Sequence, residues 1–422
     1  MGFGMATNLI KRSHRVTGFD VWAPTLTRFS TAGGSTASTP KDAVKDAQYV
    51  VFMVATAAQI LSALFDSETG AIHALEKGAT LILCSTGPPE HVPHVRSLLD
   101  GTYDRKDVLI VDAPVSGGTI RAADGTLTIL ASGPEDALVA ARPVLDAMAG
   151  SNLYIIPGGL GAGTKVKMVH QVLAGIHITM TSEAMGFAAA LGLDTKKAFE
   201  VLKDGEGGSW MFANRTPHMI VEDEKIYSAL NIIVKDIGIV TSGGRSAHFP
   251  LFLSSTVEQV LASGVSSGYG PKDDSALWKI YLPQSPNLVL QLASSPPSLT
   301  PSEEAAKLKL VEKVMAGVHL VSAVEAMSLG AKVGLDTRQL FEIIAGAAGN
   351  SWMFTERTPQ LLSGKWEEGK GGKTVDDVIA ELTQSLEEAS RLKYPLHLAD
   401  LHSDSPGFLS TFKPRISRFL RL

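Results

Sequence analysis

Among 422 residues there is one cysteine, Cys84. That excludes an intrachain disulfide framework and fits a reducing compartment. Cys84 sits in the apolar run TLILCS, so a buried thiol is expected there rather than a nucleophile. Excess charge is also lacking: the net value is −5, which gives no bulk electrostatic case for nucleic acid. No uncharged apolar run reaches the ~18 residues of a membrane span. Tyr49–Phe65 comes nearest, and Thr56 and Gln59 break it into shorter pieces. No charged segment precedes an apolar core at the N-terminus, so no signal peptide is expected. Ala6 breaks the myristoylation pattern. The expected location is cytoplasmic, with the mitochondrion as the alternative, and no membrane partner is expected. What remains is an ordinary globular composition, 45% hydrophobic and 19% charged, with length for two or three domains.

The first 158 residues alternate strand and helix signals. A helix begins at once in MGFGMATNLIKR. Strands are expected at RVTGFDVW (residues 15–22), 46–54, 80–84, 108–112, 126–131 and 152–156. Helices are expected at 25–33, 58–64, 88–98 and 135–148. Such alternation predicts a mainly parallel sheet covered on both faces, an α/β domain over residues 1–158.

From Gly161 the pattern turns helical. Val166, Val169, Leu173, Ile176, Met180, Ala184, Phe187 and Leu191 recur in steps of three and four, the period of one buried helical face. Gly-Ala-Gly permits a sharp start, and Gly192 stands where a C-cap would. At 1.5 Å per residue the stretch 161–195 would span ~45 Å, enough to pass from one domain into the next. The stretch also recurs. Lys165–Thr195 lies on Lys307–Thr337 with 15 identities in 31 positions, and SWMFANRTP at Ser209 answers SWMFTERTP at Ser351 with seven in nine. The expected organisation is a first helical domain over 159–282, a Pro- and Ser-rich linker over 283–302, a second helical copy over 303–403, and a tail over 404–422. The tail is basic and Phe-studded. A disordered end is expected there, with a membrane-touching helix as the alternative.

Several segments resemble the β-hydroxyacid dehydrogenases, the 3-hydroxyisobutyrate dehydrogenase family, and within it the L-threonate dehydrogenase branch. The resemblance covers residues 1 to about 281, and again about 305 to 400 for the helical part. It implies a Rossmann-type N-terminal domain, an all-α C-terminal domain present here as two tandem repeats, and a nicotinamide cofactor. Family members open with a strand and a G-x-G-x-x-G turn before M-A-x-N-L. MGFGMATNL begins inside that motif: Gly2 matches the third glycine, and the strand and first two glycines are absent. The expectation is that the true chain starts upstream; the alternative is weak cofactor binding.

The other site residues follow position by position. Asp20, ending GFDVW, would face the adenosine ribose, which favours NAD over NADP because a carboxylate repels a 2′-phosphate. A plain turn-forming role for Asp20 is the bland alternative. Val54 and Ala55 lie where the family's loop passes the cofactor. Thr86, in CSTGPPEHV, matches a cofactor-facing threonine, and Ser85-Thr86 also reads as the N-cap of the helix over 88–98. DAPVSGGTIRAADGTLTILASG is the most specific match. Its Ser116, Gly117 and Gly118 would present a hydroxyl and backbone amides to a substrate carboxylate; a plain loop turn would account for the glycines alone. GAGTKVKMVHQ places the catalytic lysine at Lys167, with the substrate-binding amide at Gln171 one turn on. Lys165 is a decoy facing elsewhere. Lys235, in VKDIG, would lie near the cofactor with Asp236 as its partner. Trp210 and Phe212 belong to the site or to the core. No metal is expected.

The second copy keeps Lys309 but has Glu303 and Ala305 in place of the opening glycines, Lys313 for Gln171, and Ala380-Glu381 for the Lys-Asp pair. It reads as structural, an internal partner that makes the chain a pseudo-dimer of helical domains; homo-oligomers are a further expectation. The implied reaction is reversible hydride transfer between a small 2- or 3-hydroxy acid and NAD, with Lys167 as the base. A lysine's ordinary pKa of ~10.4 would have to be lowered at such a site. Two other readings stay open: a non-catalytic binding or scaffold protein, and a reductase of small aldehydes such as succinic semialdehyde.

Overall fold

The computed structural model describes residues 1–221, 223, 225–363 and 375–399. The expectation for the tail at 404–422 lies outside them. The chain divides into two compact units, Met1–Met168 and Val169–Leu422.

The first unit runs α1 (Gly2–Lys11), β1 (Thr17–Gly18), α2 (Ala23–Thr31), β2 (Ser35–Thr36), α3 (Pro40–Ala43), β3 (Tyr49–Phe52), α4 (Ala57–Phe65), β4 (Thr80–Leu83), α5 (His91–Gly101), β5 (Leu109–Asp112), β6 (Val115–Ser116), α6 (Gly118–Asp124), β7 (Thr128–Ala131), α7 (Glu135–Ala149) and β8 (Leu153–Ile155). Strands β3, β4 and β5 are parallel in that order, with Tyr49 opposite Thr80 and Thr80 opposite Leu109. Strand β1 pairs in parallel with β2 alone. Both faces of β4 are buried, which explains its unbroken apolar run. Ile82 packs with Val111, Ile129 and the inner faces of α1 and α7. Leu81 and Leu83 pack on the other side with Ile60 and Leu64 of α4 and Val95 and Leu99 of α5. The two-sided α/β layer is thus the one the alternation predicts.

Four details differ. The strand expected over residues 15–22 contracts to Thr17–Gly18. The S-G-G segment, expected as a turn, is the junction of β6 and α6, and β6 runs antiparallel to β7. Helix α5 starts at His91 with Glu90 as N-cap. Ser85-Thr86 therefore does not cap it: two prolines, Pro88 and Pro89, intervene, and the Ser85 hydroxyl instead accepts the Val54 N–H at 2.9 Å.

Helix α8 (Ala162–Ala190) begins in the first unit, and the unit boundary falls inside it. It stops short of the expected 195: Gly192 turns left-handed at φ +72°. Asp194 then caps α9 (Thr195–Leu202) by accepting the Lys196 and Lys197 N–H groups. Next come α10 (Trp210–Met219), α11 (Leu230–Ser246) and α12 (Phe252–Ser266). The expected linker is not bare. It contains α13 (Leu288–Ser294), whose fully buried Val289 accepts the Thr195 hydroxyl through its carbonyl at 2.6 Å. After α14 (Pro301–Lys332) follow α15 (Thr337–Ala345), α16 (Trp352–Leu362) and α17 (Val375–Arg391). Helix α14 is long and apolar enough to cross a membrane by length and composition, with Glu325 inside it, but 94% of that window is buried inside the protein. The second unit explains why it is so apolar: α14 is its central core helix.

The repeated segments meet through reciprocal contacts. The Trp210 N–H donates to the Asn350 carbonyl at 2.9 Å, and the Trp352 N–H donates to Gly208 at 3.0 Å. Each pair is the other shifted by 142 residues. Glu183 accepts the Leu398 N–H; its counterpart Glu325 accepts the Leu253 and Ser254 N–H groups. His177 and His319, likewise counterparts, pack ring to ring at 4.3 Å.

Candidate functional site

In the first unit the chemistry gathers where β5, β7 and α8 converge. Asp112 ends β5 and is 1% exposed. Its carboxylate accepts the Thr164 N–H at 2.8 Å, the Thr164 hydroxyl at 2.6 Å and the Ser132 hydroxyl at 3.2 Å. The Ser132 oxygen in turn accepts the Gly163 N–H at 2.9 Å. Helix α8 has no acidic residue in its first turn, so Asp112 supplies the negative charge its N-terminus favours. Burial pushes the Asp112 carboxyl up to about 6, against the lowering effect of the Thr164 bonds. Gly161 takes φ +92°, which makes the bend into the helix. Gly163 serves a different need: a Cβ there would lie 2.1 Å from the Leu130 carbonyl oxygen, so the helix start rests directly on β7. Lys167, one turn beyond Thr164, is 6% exposed. Lys165 is only partly buried, and Lys309 is exposed.

Ser116 is buried on β6, opposite Thr128. Gly117 and Gly118 follow at φ +130° and +72°, where a side chain is strained. Helix α6 opens there without a side-chain cap. The turn thus presents main-chain amides at a helix start, the arrangement that binds carboxylates.

The cofactor candidates lie along the ends of β1, β3 and β4. Helix α1 opens on Gly2, with no side-chain cap and no acidic residue in its first turn. A Cβ on Gly2 would lie 3.5 Å from the Met53 carbonyl oxygen, so Gly2 and the Val54 region adjoin. Asp20 is close enough for its charge to act on the Met1 nitrogen, and one of its oxygens accepts the Trp22 N–H at 2.8 Å. Asp20 thus forms a local turn beside the helix start. The Val54 N–H is taken by Ser85, and the Ala55 N–H by Gln59 at 2.9 Å within the capping box of α4. Thr86 follows Ser85 in the loop after β4. An uncapped, glycine-opened helix beside a carboxylate at a strand end fits a dinucleotide.

In the second unit Gln171 is 6% exposed and donates to Asp236 Oδ2 at 2.5 Å. The other carboxylate oxygen of Asp236 pairs with Lys235 at 2.8 Å, as the Lys-Asp reading expects. Phe212 is fully buried core, whereas Trp210 is 38% exposed. The counterpart of Gln171, Lys313, is an ion-pair centre, 3.2 Å from both Glu206 and Glu381.

The sequence reading missed Ser132, Thr164 and His170, and gave Asp112 no role. The only signal for Asp112 was its place at the head of the best-matching segment.

Residues 1–158 match the family described as the NAD binding domain of 6-phosphogluconate dehydrogenase. Residues 161–281 and again 304–404 match the NAD-binding domain of NADP-dependent 3-hydroxyisobutyrate dehydrogenase. The L-threonate dehydrogenase of Cupriavidus necator is 37% identical over 281 residues, 67% of this chain and 93% of its own. Human mitochondrial 3-hydroxyisobutyrate dehydrogenase is 30% identical over 287 residues, 66% of this chain and 83% of its own. The crystal structure of a 3-hydroxyisobutyrate dehydrogenase from Salmonella typhimurium is 35% identical with a TM-score of 0.62, covering 66% of this chain and 96% of that one. Plasmodium falciparum 6-phosphogluconate dehydrogenase, at 14% identity and a TM-score of 0.65, covers 95% of this chain and shares its fold. The chain belongs to the β-hydroxyacid dehydrogenase family, the nicotinamide-dependent oxidoreductases that include the L-threonate and 3-hydroxyisobutyrate dehydrogenases.

Proposed function

We propose that the chain is a dehydrogenase of a small hydroxy acid, threonate- or 3-hydroxyisobutyrate-like, with Lys167 as its general base. One observation carries the reading: Lys167 is nearly excluded from water in a helix start pinned by Asp112 and Ser132, while its repeat counterpart Lys309 is solvated. The turn Ser116–Gly118 grips the substrate carboxylate through a hydroxyl and main-chain amides. Lys167 accepts the proton of the substrate hydroxyl as the C–O bond becomes a carbonyl. Gln171 holds the substrate. When bound, the nicotinamide supplies the hydride acceptor at its C4. Gly2, Asp20, Val54, Ala55, Thr86 and Lys235 hold that group, and Asp20 makes NAD the preferred form. A cytoplasmic location belongs to the same reading, supported by the free, buried Cys84.

The two helical copies act as an internal pseudo-dimer. The reciprocal pairs Trp210–Asn350 and Trp352–Gly208, with Glu183 and Glu325 each binding backbone in the other copy, support this. The test is Lys167→Ala. Turnover on threonate, 3-hydroxyisobutyrate and glycerate should be abolished, while NADH still quenches tryptophan fluorescence with unchanged affinity. Full turnover in the variant would remove Lys167 from the mechanism.

A further inference from the structure

The residue before Gln171 is a histidine with only 2% exposure. Its two ring nitrogens make different bonds. His170 Nε2 faces the main-chain N–H of Gly349 at 3.0 Å. His170 Nδ1 lies 3.0 Å from Gln171 Oε1. A backbone amide can only donate, so Nε2 must be the acceptor and the ring proton must sit on Nδ1. That proton is then donated to Gln171 Oε1, which turns the amide nitrogen of Gln171 towards Asp236 Oδ2. Flipping the Gln171 amide would set N–H against N–H and carbonyl oxygen against carboxylate. The donors therefore run one way, from Gly349 through His170 and Gln171 to Asp236, which Lys235 holds from its other oxygen.

Gly349 belongs to the second helical copy, two residues before the Ser351 that opens its SWMF segment. In the opposite direction the pattern is charged. Glu312, the counterpart of His170, accepts the Glu206 N–H at 3.2 Å, and Lys313 stands where Gln171 would. Among the described residues, the directional chain through an imidazole and an amide occurs in the first copy, with Glu312 and Lys313 at the corresponding positions of the second.

We propose that His170 is a positioning residue for Gln171, and that the second helical copy sets its tautomer through the Gly349 N–H. This rests on the assignment of Gln171 to substrate given above. It gives the degenerate copy a part in the reaction: a main-chain donor that orients the substrate-binding amide of the first.

Two substitutions separate positioning from support. Asn places its amide nitrogen near the Nδ1 position, so His170→Asn keeps the bond to Gln171 and loses the one to Gly349. Gln reaches the Nε2 position, so His170→Gln keeps an acceptor for Gly349 and loses the donor to Gln171. Positioning predicts that His170→Gln lowers kcat/KM for the hydroxy acid about tenfold or more, mainly through KM, with NADH affinity unchanged. His170→Asn should stay within about threefold of wild type while melting at a lower temperature. The reverse order, with His170→Asn the poorer enzyme, overturns the proposal. A second readout does not depend on turnover. In the ¹⁵N spectrum of the full chain, the ring signals lost in His170→Asn should belong to a neutral imidazole protonated at Nδ1. Protonation at Nε2, or at both nitrogens, overturns the proposal even if the wild type proves inactive on every hydroxy acid, an outcome that would by itself refute only the assigned reaction.

Discussion

Asp112 decides whether the first turn of α8 stays on the sheet. Asp112→Ala removes the acceptor for the Thr164 N–H, the Thr164 hydroxyl and the Ser132 hydroxyl. The hydroxyls can rotate to other partners; the N–H cannot. An orphaned buried donor costs about 1–3 kcal/mol, and these were bonds to a charged group, so about 3 kcal/mol is expected for the helix start. Asp112→Asn preserves the shape. Its oxygen can take the place of Oδ2 and accept the Thr164 N–H and the Ser132 hydroxyl, while its amide nitrogen donates to the Thr164 oxygen. The two variants should therefore diverge. In hydrogen exchange of a peptide spanning 161–168, Ala should speed exchange at the helix start about 100-fold at ~1.4 kcal/mol per tenfold, and Asn by less than tenfold.

The pH dependence follows from the same carboxyl. Its folded pKa is about 6, against an ordinary value of 3.8. Between those values the unfolded chain is ionised while the folded chain keeps its proton. Stability from this group is present below pH 3.8 and is lost as pH rises through 6, a decline of about 3 kcal/mol. Asp112→Asn does not titrate, so its stability relative to wild type should rise from pH 4 to 6 and then stay level. If Asn exchanged as fast as Ala, or the difference from wild type were flat across that window, the account of how α8 is anchored would be wrong.

Other outcomes are equally specific. Gly163→Ala puts a methyl 2.1 Å from the Leu130 oxygen and should lower the melting temperature by several degrees with a loss of turnover; Gly159→Ala, at φ +77° with nothing nearby, should cost only about 1 kcal/mol. Burial holds His319 at about 3 and drives His177 down as well, so both stay neutral when folded. Stability is then full above pH 6.5 and falls as pH drops towards 3; in urea titrations at pH 5, His319→Leu should recover about 2 kcal/mol of that fall relative to its own pH 7 value. Asp20→Ser should narrow the preference for NADH over NADPH at least tenfold in fluorescence titrations, and an unchanged ratio would detach Asp20 from the ribose.

How much of this was legible in the sequence depends on the range of each interaction. The period of Val166 through Leu191 marked α8 because helical burial is a local regularity. The Ser-Gly-Gly segment and Lys167 were singled out by the family motifs they match. Asp112, Ser132 and Thr164 were not, because their bonds span 20 to 52 residues and exist only once β5, β7 and α8 are assembled. Ser85 was misread for the same reason: nothing in C-S-T-G-P-P shows that the end of β3 lies alongside and offers the Val54 N–H. The linker was misread through composition, since Pro and Ser surround the apolar stretch LVLQLA of Leu288–Ser294. His170 was passed over because its meaning depends on Gly349, 179 residues away.

The two repeated segments differ most at the positions proposed for the site. Residues that join the copies are alike in both: His177 with His319, Glu183 with Glu325, Ser209 with Ser351. His177 meets His319, Ser209 pairs with Ser351, and Glu183 and Glu325 each bind backbone of the other copy, so a change in one copy would break a contact with the other. Residues that would face substrate have parted. Gln171 with Asp236 is a neutral donor on a carboxylate; Lys313 between Glu206 and Glu381 is a closed ion cluster. A buried cation already satisfied by two carboxylates has no reason to take up another anion, and leaving it unpaired would be costly. Lys313→Gln should therefore destabilise the second unit by leaving Glu206 and Glu381 to repel each other, without creating a second active site. If the variant instead gained turnover independent of Lys167, the division of labour argued for the two copies would fail.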